Sequence, residues 1–189
     1  TDVILDAGCG SGLYLLTLAH KIHQGFGVDI DDLRIKEATR LAKELHANNI
    51  IFKESDATCL DFPDTFFDKV ICSEVLEHVK DDQKLIREFF RMLKNEGLLV
   101  ISTTSLLRIN RVYQEKFHHQ RIGYSIEQLK VLFRNNGFSI EEISPYGRFF
   151  GQISWEINRN FLTNSYLNAL TFYPLLFIAA IDKLLSHNL

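Results

Sequence analysis

Residues suited to nucleotide binding stand near the start of the chain, where an apolar run ends in Asp6 and a glycine then follows at every second position. The segment, residues 3–12, reads VILDAGCGSG. Glycines after a strand form tight turns that let the backbone approach a nucleotide closely. The dinucleotide fingerprint GxGxxG would place its third glycine at position 13, which is Leu13 here. The spacing alone therefore leaves two interpretations open, a nucleotide site of another kind and a simple tight turn.

Carboxylates also follow the next two predicted strands. Asp29 comes 17 residues after Gly12, and a carboxylate there can accept hydrogen bonds from both hydroxyls of a ribose. Asp29 could instead cap the next helix, although Asp31 and Asp32 are better placed for that. Asp56 follows the third strand, where it could accept a hydrogen bond from an adenine amino group or simply form a turn. Because three acids each end a different strand, we expect a ligand at this edge of the sheet.

Two hydrophobic periodicities alternate along the chain and predict the elements that would position these residues. Short apolar runs predict buried strands at residues 3–6, 25–30, 50–54, 67–72, 98–103 and 138–143. Helical patterns lie between them at residues 12–21, 32–47, 81–93 and 126–136. Ser125 and Gln128 predict a capping box at the start of the last helix, and Gly137 predicts its end.

Strands that are buried on both faces and alternate with helices are typical of a doubly wound, mostly parallel α/β sheet. We expect the glycine turn (residues 8–12) at the centre of this sheet and the strand at 138–143 toward one edge. In such a sheet, ligands bind at the carboxyl ends of the strands, near the point where the strand order reverses. The three acids and the glycine turn would all lie at that end.

Composition and charge limit the classes of function. The chain has 189 residues, 46% of them hydrophobic, and a net charge of −3, which allows one buried core and argues against a general nucleic-acid binder. Residues 1–82 carry 8 basic and 16 acidic residues, whereas residues 83–189 carry 13 and 8. The second half could therefore face an anionic substrate or lipid headgroup, or be an ordinary solvated surface.

Cysteine usage and the start of the chain bear on its compartment. The three cysteines have no CxxC spacing and no signal peptide is present, which predicts a cytoplasmic protein without a metal site. The chain begins within a strand-like run and without an initiator methionine, so we expect a fragment that lacks upstream helices.

Four motifs carry a resemblance to a known family: VILDAGCGSG, GVDID, ESDATCLDFPDTFFDKVICSEVLEHV and LKNEGLLVISTT. In order and interval, over roughly residues 2–145, they resemble class I S-adenosylmethionine-dependent methyltransferases. The most similar subgroup is the small-molecule type that includes ubiquinone-biosynthesis and polysaccharide-cluster enzymes. The resemblance implies a Rossmann-like methyltransferase domain over residues 1–145. It also implies S-adenosylmethionine as the ligand, which contains adenosine and a methionine tail but no phosphate.

The residues that this resemblance implies for cofactor binding are Asp6, Gly8, Gly10, Gly12, Asp29, Ile30, Asp56, Ala57, Ser73 and Glu74. The glycines would let the backbone approach the methionine portion, and Asp6 would orient its ammonium group. Asp29 would bind the ribose and Asp56 the adenine. Ser73 and Glu74 would flank the sulfonium.

Histidines are the candidate bases on the acceptor side, because methyl transfer to oxygen also removes a proton and histidine titrates near neutral pH. The catalytic candidates are His78, one helical turn after Glu74, and His119, which follows the fifth strand beside His118. His78 could instead be a structural histidine, and the pair at 118–119 ordinary loop polarity. Arg121 could pair with an anionic acceptor or be solvated.

The last part of the chain, residues 146–189, is predicted to form a helical appendix. Its segment 165–181 reads SYLNALTFYPLLFIAAI, is apolar on nearly all faces and has Pro174 at its centre. The segment is short for a membrane span, and proline would kink a helix there. It could pack on the sheet or on missing helices, or it could anchor the protein at an interface, with peripheral membrane contact through residues 161–185.

We therefore expect an S-adenosylmethionine-dependent methyltransferase that acts on a small or lipid-linked acceptor, on oxygen. Two alternatives are a non-catalytic methyltransferase-like binding protein and a nicotinamide-dependent oxidoreductase of similar topology. Leu13 and the lack of a second nucleotide-binding half argue against the oxidoreductase. The acids at the cofactor positions argue against loss of cofactor binding.

Overall fold

The computed structural model describes residues 2–106, 120–121 and 123–144. The chain divides into a compact unit of residues 1–140 and a second unit of residues 141–189. His118, His119 and the predicted appendix at 146–189, with its segments 161–185 and 165–181, lie outside the described residues. The domain boundary at residue 145 therefore stays a prediction. Within the described ranges, no helix has the length and apolar character needed to cross a bilayer.

A single parallel sheet organises the described residues. Its strands are β1 (Val3–Ala7), β2 (Gln24–Asp29), β3 (Ile50–Glu54), β4 (Phe67–Ser73) and β5 (Leu93–Ser102). Their order is β3-β2-β1-β4-β5, and every pair is parallel. The strand order reverses between β1 and β4, so the glycine turn after β1 lies at the switch point in the middle of the sheet. The predicted doubly wound sheet and the central position of this turn are both confirmed.

The helices begin and end close to the predicted positions because their caps are local. They are α1 (Leu13–Leu18), α2 (Asp32–Glu44), a short 3₁₀ helix (Leu76–His78), α3 (Asp82–Met92) and α4 (Ile126–Asn135). The Asp31 side chain caps α2 by accepting hydrogen bonds from the backbone amides of Leu33 and Arg34. The capping box of Ser125 and Gln128 is present at the start of α4, and Gly137, at φ +89°, follows its end.

The core lies on the faces of the central strands. Ile4 and Leu5 of β1, and Val70 and Cys72 of β4, are buried. Helix α3 packs its apolar face against Leu5, Val70 and Cys72, and the buried residues of the helix are Leu85, Ile86, Phe89 and Met92. Their helical spacing explains why the amphipathic pattern was readable. This packing fixes the carboxyl ends of β1 and β4, where the predicted site lies.

One predicted strand is wrong: residues 138–143 form no strand and join no sheet in the structure. The Phe138 ring instead packs edge-on against Phe90 of α3 and Phe133 of α4, with ring centroids 5.3 Å and 6.2 Å away. Ile140 also packs against the core cluster. Apolar residues of this run therefore pack against helices and the core cluster instead of pairing in the sheet.

The fifth strand also starts earlier than predicted, at Leu93 instead of residue 98. Leu93 pairs with Phe67 directly after α3 ends. The register then shifts, because β5 advances five residues and β4 only two before Lys69 pairs with Leu98. Residues 94–97, between these two pairs, are polar or glycine and interrupt the apolar run. The first half of the strand therefore could not be recognised from the sequence.

Candidate functional site

The glycine turn is bonded to the neighbouring strand. The amides of Gly8 and Cys9 donate to the carbonyl of Val28 at 2.8 Å and 2.9 Å, and the amide of Gly12 donates to the carbonyl of Cys9 at 2.9 Å. Gly8, Gly10 and Gly12 have φ angles of +78°, +52° and +78°. Residues with a Cβ rarely adopt this left-handed region. The backbone therefore needs glycine at all three positions.

The three glycines differ in what surrounds them. A Cβ on Gly8 would lie 2.2 Å from Val75 Cγ2, and one on Gly12 would lie 2.3 Å from the Phe52 ring. A Cβ on Gly10 would meet no atom within 4 Å in the described part of the chain. Gly8 and Gly12 are thus also required for packing, whereas Gly10 borders open space in which a ligand could lie against the backbone.

The carboxylate of Asp29 is held beside this open space. One oxygen accepts a hydrogen bond from the Gly10 amide at 2.8 Å, and the other accepts one from the Asp31 amide at 3.0 Å. Asp31, and not Asp29, caps α2, as the sequence predicts. Each carboxylate oxygen can accept a second hydrogen bond. Asp29 is therefore fixed in place and still able to bind two hydroxyls.

Asp6 is the most unusual carboxylate of the site. It is the second-last residue of β1, with only 1% of its surface exposed, and neither carboxylate oxygen has a hydrogen-bond partner among the described residues. Burial, and to a lesser extent the charge of Asp29, raise the pKa of Asp6 to about 7. An ionised carboxylate is costly to bury without donors, so this position favours a cationic ligand group that would supply them.

Asp56 lies in a turn that is tied to the same edge. Its side chain is exposed and accepts a hydrogen bond from the Thr58 amide at 2.8 Å, while the preceding residue, Ser55, donates its amide to the Asp29 carbonyl at 2.9 Å. Asp56 is thus a turn residue, and one carboxylate oxygen remains outside that hydrogen bond. Ala57 is half-buried and Ile30 is 76% exposed. The structure brings Asp6, Asp29 and Asp56 to one edge of the sheet, as predicted.

Ser73 and Glu74, at the end of β4, belong to a group of hydroxyls. Ser73 Oγ lies 3.3 Å from the Tyr14 hydroxyl and 2.9 Å from Ser102 Oγ, and Ser102 Oγ donates to Glu74 Oε1 at 3.1 Å. Glu74 itself has φ +56°, and its amide donates to the Ser102 carbonyl at 3.0 Å. A non-glycine residue in this region is strained, and such strain is common at functional sites.

Sequence reasoning missed Glu77, which lies in the 3₁₀ helix with 1% of its surface exposed. The Thr103 hydroxyl donates to Glu77 Oε2 at 2.9 Å. Burial first, and then the neighbouring Glu74 carboxylate, raise the pKa of Glu77 to about 7. The spacing Glu-x-x-Glu in SEVLEH could have drawn attention to a carboxyl pair one turn apart. Tyr14 was also missed, since one tyrosine after a glycine turn carries no distinctive signal.

His78 follows Glu77 in the same short helix, and its side chain is exposed. The element thus buries the glutamate and leaves the histidine at the surface, so its role as a base stays a prediction. Arg121 fits neither of its two expected roles. It forms an ion pair with Asp82, donates to the carbonyls of Val79 and Lys80 at 3.2 Å and 3.1 Å, and lies over the Tyr124 ring.

Within the described ranges, no group of three or more His, Cys, Asp or Glu side chains could hold a metal ion.

Comparison with known proteins was made on sequence and on structure. A family described as "Methyltransferase domain" matches residues 5–101. The "Uncharacterized methyltransferase YcgJ" of Bacillus subtilis is 32% identical over 98 residues, which are 52% of this chain and 39% of that protein. The "Ubiquinone biosynthesis O-methyltransferase" of Rickettsia conorii is 43% identical over 103 residues, or 53% of this chain and 34% of that protein. The chain thus spans less than half the length of these two relatives.

Solved structures have the same fold. The crystal structure of Bacillus subtilis YcgJ aligns with a TM-score of 0.67 and 26% identity, over 76% of this chain and 64% of that one. The structure of the [4+2]-cyclase SpnF aligns with a TM-score of 0.66 and 27% identity, over 75% of this chain and 53% of that one. A ubiquinone biosynthesis O-methyltransferase of Rickettsia canadensis matches 87% of this chain and 74% of its own length at 28% identity. Sequence and fold therefore agree on one family.

Proposed function

The chain belongs to the methyltransferase domain family, and on that premise we propose that it transfers the methyl group of S-adenosylmethionine to an oxygen of a small or lipid-linked acceptor. The observation that carries this proposal is the buried carboxylate of Asp6, which has no hydrogen-bond partner among the described residues and lies near the end of the central strand, two residues before the glycine turn. A ligand with an ammonium group beside a backbone-lined space would satisfy both features.

The residues present fit the cofactor part by part. Asp6 would bind the ammonium group, and the open space at Gly10 would hold the methionine portion. Asp29, fixed by two backbone amides, would accept hydrogen bonds from the ribose hydroxyls. When bound, S-adenosylmethionine supplies a methyl group that is already activated as a sulfonium. The protein has to hold the acceptor oxygen close to that methyl group and in line with it.

The adenine would lie between the exposed Ile30 side chain and the turn at Asp56 and Ala57. Ser73 ends β4 at the switch point and Glu74 follows it, so both would lie at the methyl end of the ligand. His78 and His119 are proposed only as accessory bases, because His78 is exposed and His119 lies outside the described residues.

Charge argues against a dinucleotide at the same turn. A pyrophosphate bound to the glycine turn would lie beside Asp6 and Asp29, whose carboxylates are close enough for the charge of Asp29 to raise the pKa of Asp6. Like charges at this distance disfavour each other, whereas an ammonium group and neutral ribose hydroxyls do not conflict with either acid. The electrostatics of the turn therefore support S-adenosylmethionine over a nicotinamide dinucleotide.

A function without methyl transfer is the second candidate, and the similarity to a protein named [4+2]-cyclase at 27% identity favours it. In that case the cofactor site would be kept while the chemistry differs. Binding alone cannot separate this candidate from the first, so the test needs turnover.

Isothermal titration calorimetry with S-adenosylhomocysteine and with NAD tests the ligand. We expect binding of the first and no heat from the second, and the reverse result would overturn the proposal.

Turnover is tested with methyl-labelled S-adenosylmethionine and 3,4-dihydroxybenzoate, a soluble hydroxylated ring chosen because several relatives are named ubiquinone biosynthesis O-methyltransferases. Label in the acceptor supports methyl transfer to oxygen. Binding without label in the acceptor would support the candidate without methyl transfer.

A lipid-linked acceptor would be reached most easily by a protein at the membrane surface. Residues 161–185 are proposed as a peripheral contact because of their apolar segment, 165–181, and the basic residues Arg159 and Lys183 on either side of that segment. We expect co-sedimentation with anionic vesicles that weakens with salt and is lost in Leu176→Asp with the fold retained. Protein that stays in the supernatant at low salt would rule this contact out.

A further inference from the structure

Four side chains form a continuous hydrogen-bonded chain across the switch point of the sheet. The Tyr14 hydroxyl of α1 contacts Ser73 Oγ of β4 at 3.3 Å, which contacts Ser102 Oγ of β5 at 2.9 Å. Ser102 Oγ donates to Glu74 Oε1 at 3.1 Å. These hydrogen bonds thus connect the helix that follows the glycine turn with the carboxylate that follows β4.

The direction of the hydrogen bonds follows from the number of hydrogens. Each hydroxyl carries one hydrogen, and an ionised carboxylate carries none. Because Ser102 gives its hydrogen to Glu74, Ser73 must donate to Ser102, and Tyr14 must then donate to Ser73. All three hydroxyl dipoles therefore point toward Glu74, and hydrogen bonds aligned in this way strengthen one another.

Tyr14 is suited to the donor end of the chain. Burial raises the pKa of its phenol above the ordinary value, so the hydroxyl keeps its hydrogen throughout the neutral range. Ser102 is 4% exposed and half-buried Ser73 pairs with it in register across β4 and β5, so the two serines are fixed by the sheet. The chain is rigid up to Glu74, whose backbone is also held by the Ser102 carbonyl.

The structure assigns a role to this arrangement, on the basis of the proposed function. We propose that Tyr14, Ser73 and Ser102 are positioning residues that hold the exposed Glu74 carboxylate in one orientation, so that Glu74 accepts the proton of the acceptor hydroxyl during methyl transfer.

The step balances in atoms and charge. The acceptor oxygen forms a bond to the methyl carbon while the sulfur–methyl bond breaks, and the electron pair of that bond stays on sulfur. The hydroxyl proton passes to Glu74. One positive charge, on the sulfonium, and one negative charge, on the carboxylate, disappear together, which favours the step in a partly buried site.

The burial of Glu77 supports this assignment, because Glu77 is enclosed while the neighbouring Glu74 is exposed, so that only Glu74 can reach an acceptor. Its raised pKa, about 7, arises from burial and from the Glu74 carboxylate, to which it is also hydrogen-bonded. Glu77 is therefore the member of the pair that burial favours in its protonated form. Other titratable groups that act on the pair in the described ranges are Tyr14 from α1, Cys72 from β4, and Tyr124, which precedes α4. Burial raises the pKa of each of these three, so all are neutral.

The first test uses the ligand-free protein and needs no acceptor. Carboxyl ¹³C resonances of labelled glutamate are followed with pH and assigned with Glu74→Gln and Glu77→Gln. We expect the titration of the Glu74–Glu77 pair to move up by about one pH unit in Ser102→Ala, because the charged form loses a donor. Tyr14→Phe should give a smaller shift in the same direction, and Ser102→Thr should restore the native curve.

The control is Thr17→Val, since the Thr17 hydroxyl lies on the same helix as Tyr14 but donates to the Leu13 carbonyl, outside the chain. It should leave the titration unchanged. Identical titration curves for native, Ser102→Ala and Tyr14→Phe proteins would overturn the oriented chain, whether or not the protein proves to be a methyltransferase.

The second test separates positioning from cofactor binding. With 3,4-dihydroxybenzoate as acceptor, we expect kcat to fall about 100-fold in Glu74→Gln and about 10-fold in Ser102→Ala, with recovery in Ser102→Thr. Calorimetric affinity for S-adenosylhomocysteine should change less than twofold in Ser102→Ala, because Ser102 is not among the residues proposed to bind the cofactor. A loss of cofactor affinity at unchanged kcat would overturn the role in proton transfer. A native protein that fails to bind S-adenosylhomocysteine would instead refute the proposed function.

Discussion

Asp29 has two tasks in this fold, and they can be separated by mutation. Its carboxylate fixes the glycine turn through the Gly10 amide and is proposed to bind the ribose. We expect Asp29→Ala to weaken S-adenosylhomocysteine binding by roughly 2–4 kcal/mol, because two hydroxyls lose a charged acceptor. Asp29→Asn should lose less, since its amide oxygen can still accept the Gly10 hydrogen bond.

Calorimetry measures this loss, and the control is Glu44→Gln, an exposed carboxylate at the far end of α2 that pairs with Arg40. Native affinity in Asp29→Ala would show that this residue does not bind the ribose.

Single residues were predictable where their position depends only on the end of a strand. Asp6, Asp29 and Asp56 each follow an apolar run, and parallel strands necessarily bring such residues to one edge. Glu77 was not predictable in the same way, because its burial depends on the Thr103 hydroxyl and on how the 3₁₀ helix packs against β5. The sequence shows that Glu77 and His78 are adjacent, but it does not show which of the two side chains is buried.

The glycine turn is the element on which the site depends most. Gly12→Ala should lower the free energy of unfolding by about 2–4 kcal/mol, because left-handed strain adds to a clash with Phe52. Gly10→Ala should lower it by only about 1–2 kcal/mol, since no described atom occupies the space for its Cβ. The same Cβ would enter the proposed ligand space, so affinity for S-adenosylhomocysteine should fall at least about tenfold.

Urea unfolding and calorimetry on the two variants separate stability from binding. If Gly10→Ala binds as tightly as the native protein, the open space at this residue is not the ligand site.

The loop after the Asp56 turn is tied to α3 by one side chain, Arg91. Its guanidinium donates to the carbonyls of Leu60 and Phe62 at 3.1 Å and 2.8 Å, and it pairs with Asp64 and Glu88. A lysine cannot reproduce this fork of donors. We expect Arg91→Lys to speed backbone hydrogen exchange in residues 56–64 and to weaken S-adenosylhomocysteine binding a few-fold, because the proposed adenine turn loosens.

Exchange measured by mass spectrometry checks this, with Arg87→Lys as the control at an exposed position on the same helix. Unaltered exchange in the loop would mean that Arg91 does not restrain it.

Elements were predictable where caps and periodicity agree. The capping box at Ser125 and the asparagine and glycine that follow α4 are local signals, and the helix begins and ends within one residue of its predicted bounds. The run at 138–143 shows the limit of the method. An apolar run says that residues are buried, but Phe138 is buried against Phe90 and Phe133 instead of in the sheet, and only the packing of α3 and α4 decides between the two.

At the scale of the whole molecule, the buried acids of the site should set the pH dependence of stability. The pKa values of Asp6 and Glu77 rise from 3.8 and 4.5 to about 7 on folding. Between about pH 4 and 7 the folded state therefore holds more protons than the unfolded state, and the free energy of unfolding falls as the pH rises. Asp68 and Glu88 have lowered pKa values, so they act in the opposite sense but mainly below this range.

Asp6→Asn tests this relation between stability and binding. The amide is similar in shape and carries no charge, so the variant should lose the part of the pH slope that Asp6 causes and should be more stable than the native protein at pH 8 by a few kcal/mol. Near pH 4, where the native Asp6 is protonated, the two proteins should unfold at similar denaturant concentrations.

The same variant should bind S-adenosylhomocysteine at least about tenfold more weakly, because the ammonium group loses its anionic partner. Urea titrations at pH 4 and pH 8, with calorimetry at pH 8, measure both effects. A variant that is less stable than the native protein at pH 8, or that binds the ligand equally well, would show that the unpartnered carboxylate is not kept for the ligand. If both effects appear, the fold tolerates a destabilising charge at its centre because that charge binds the cofactor.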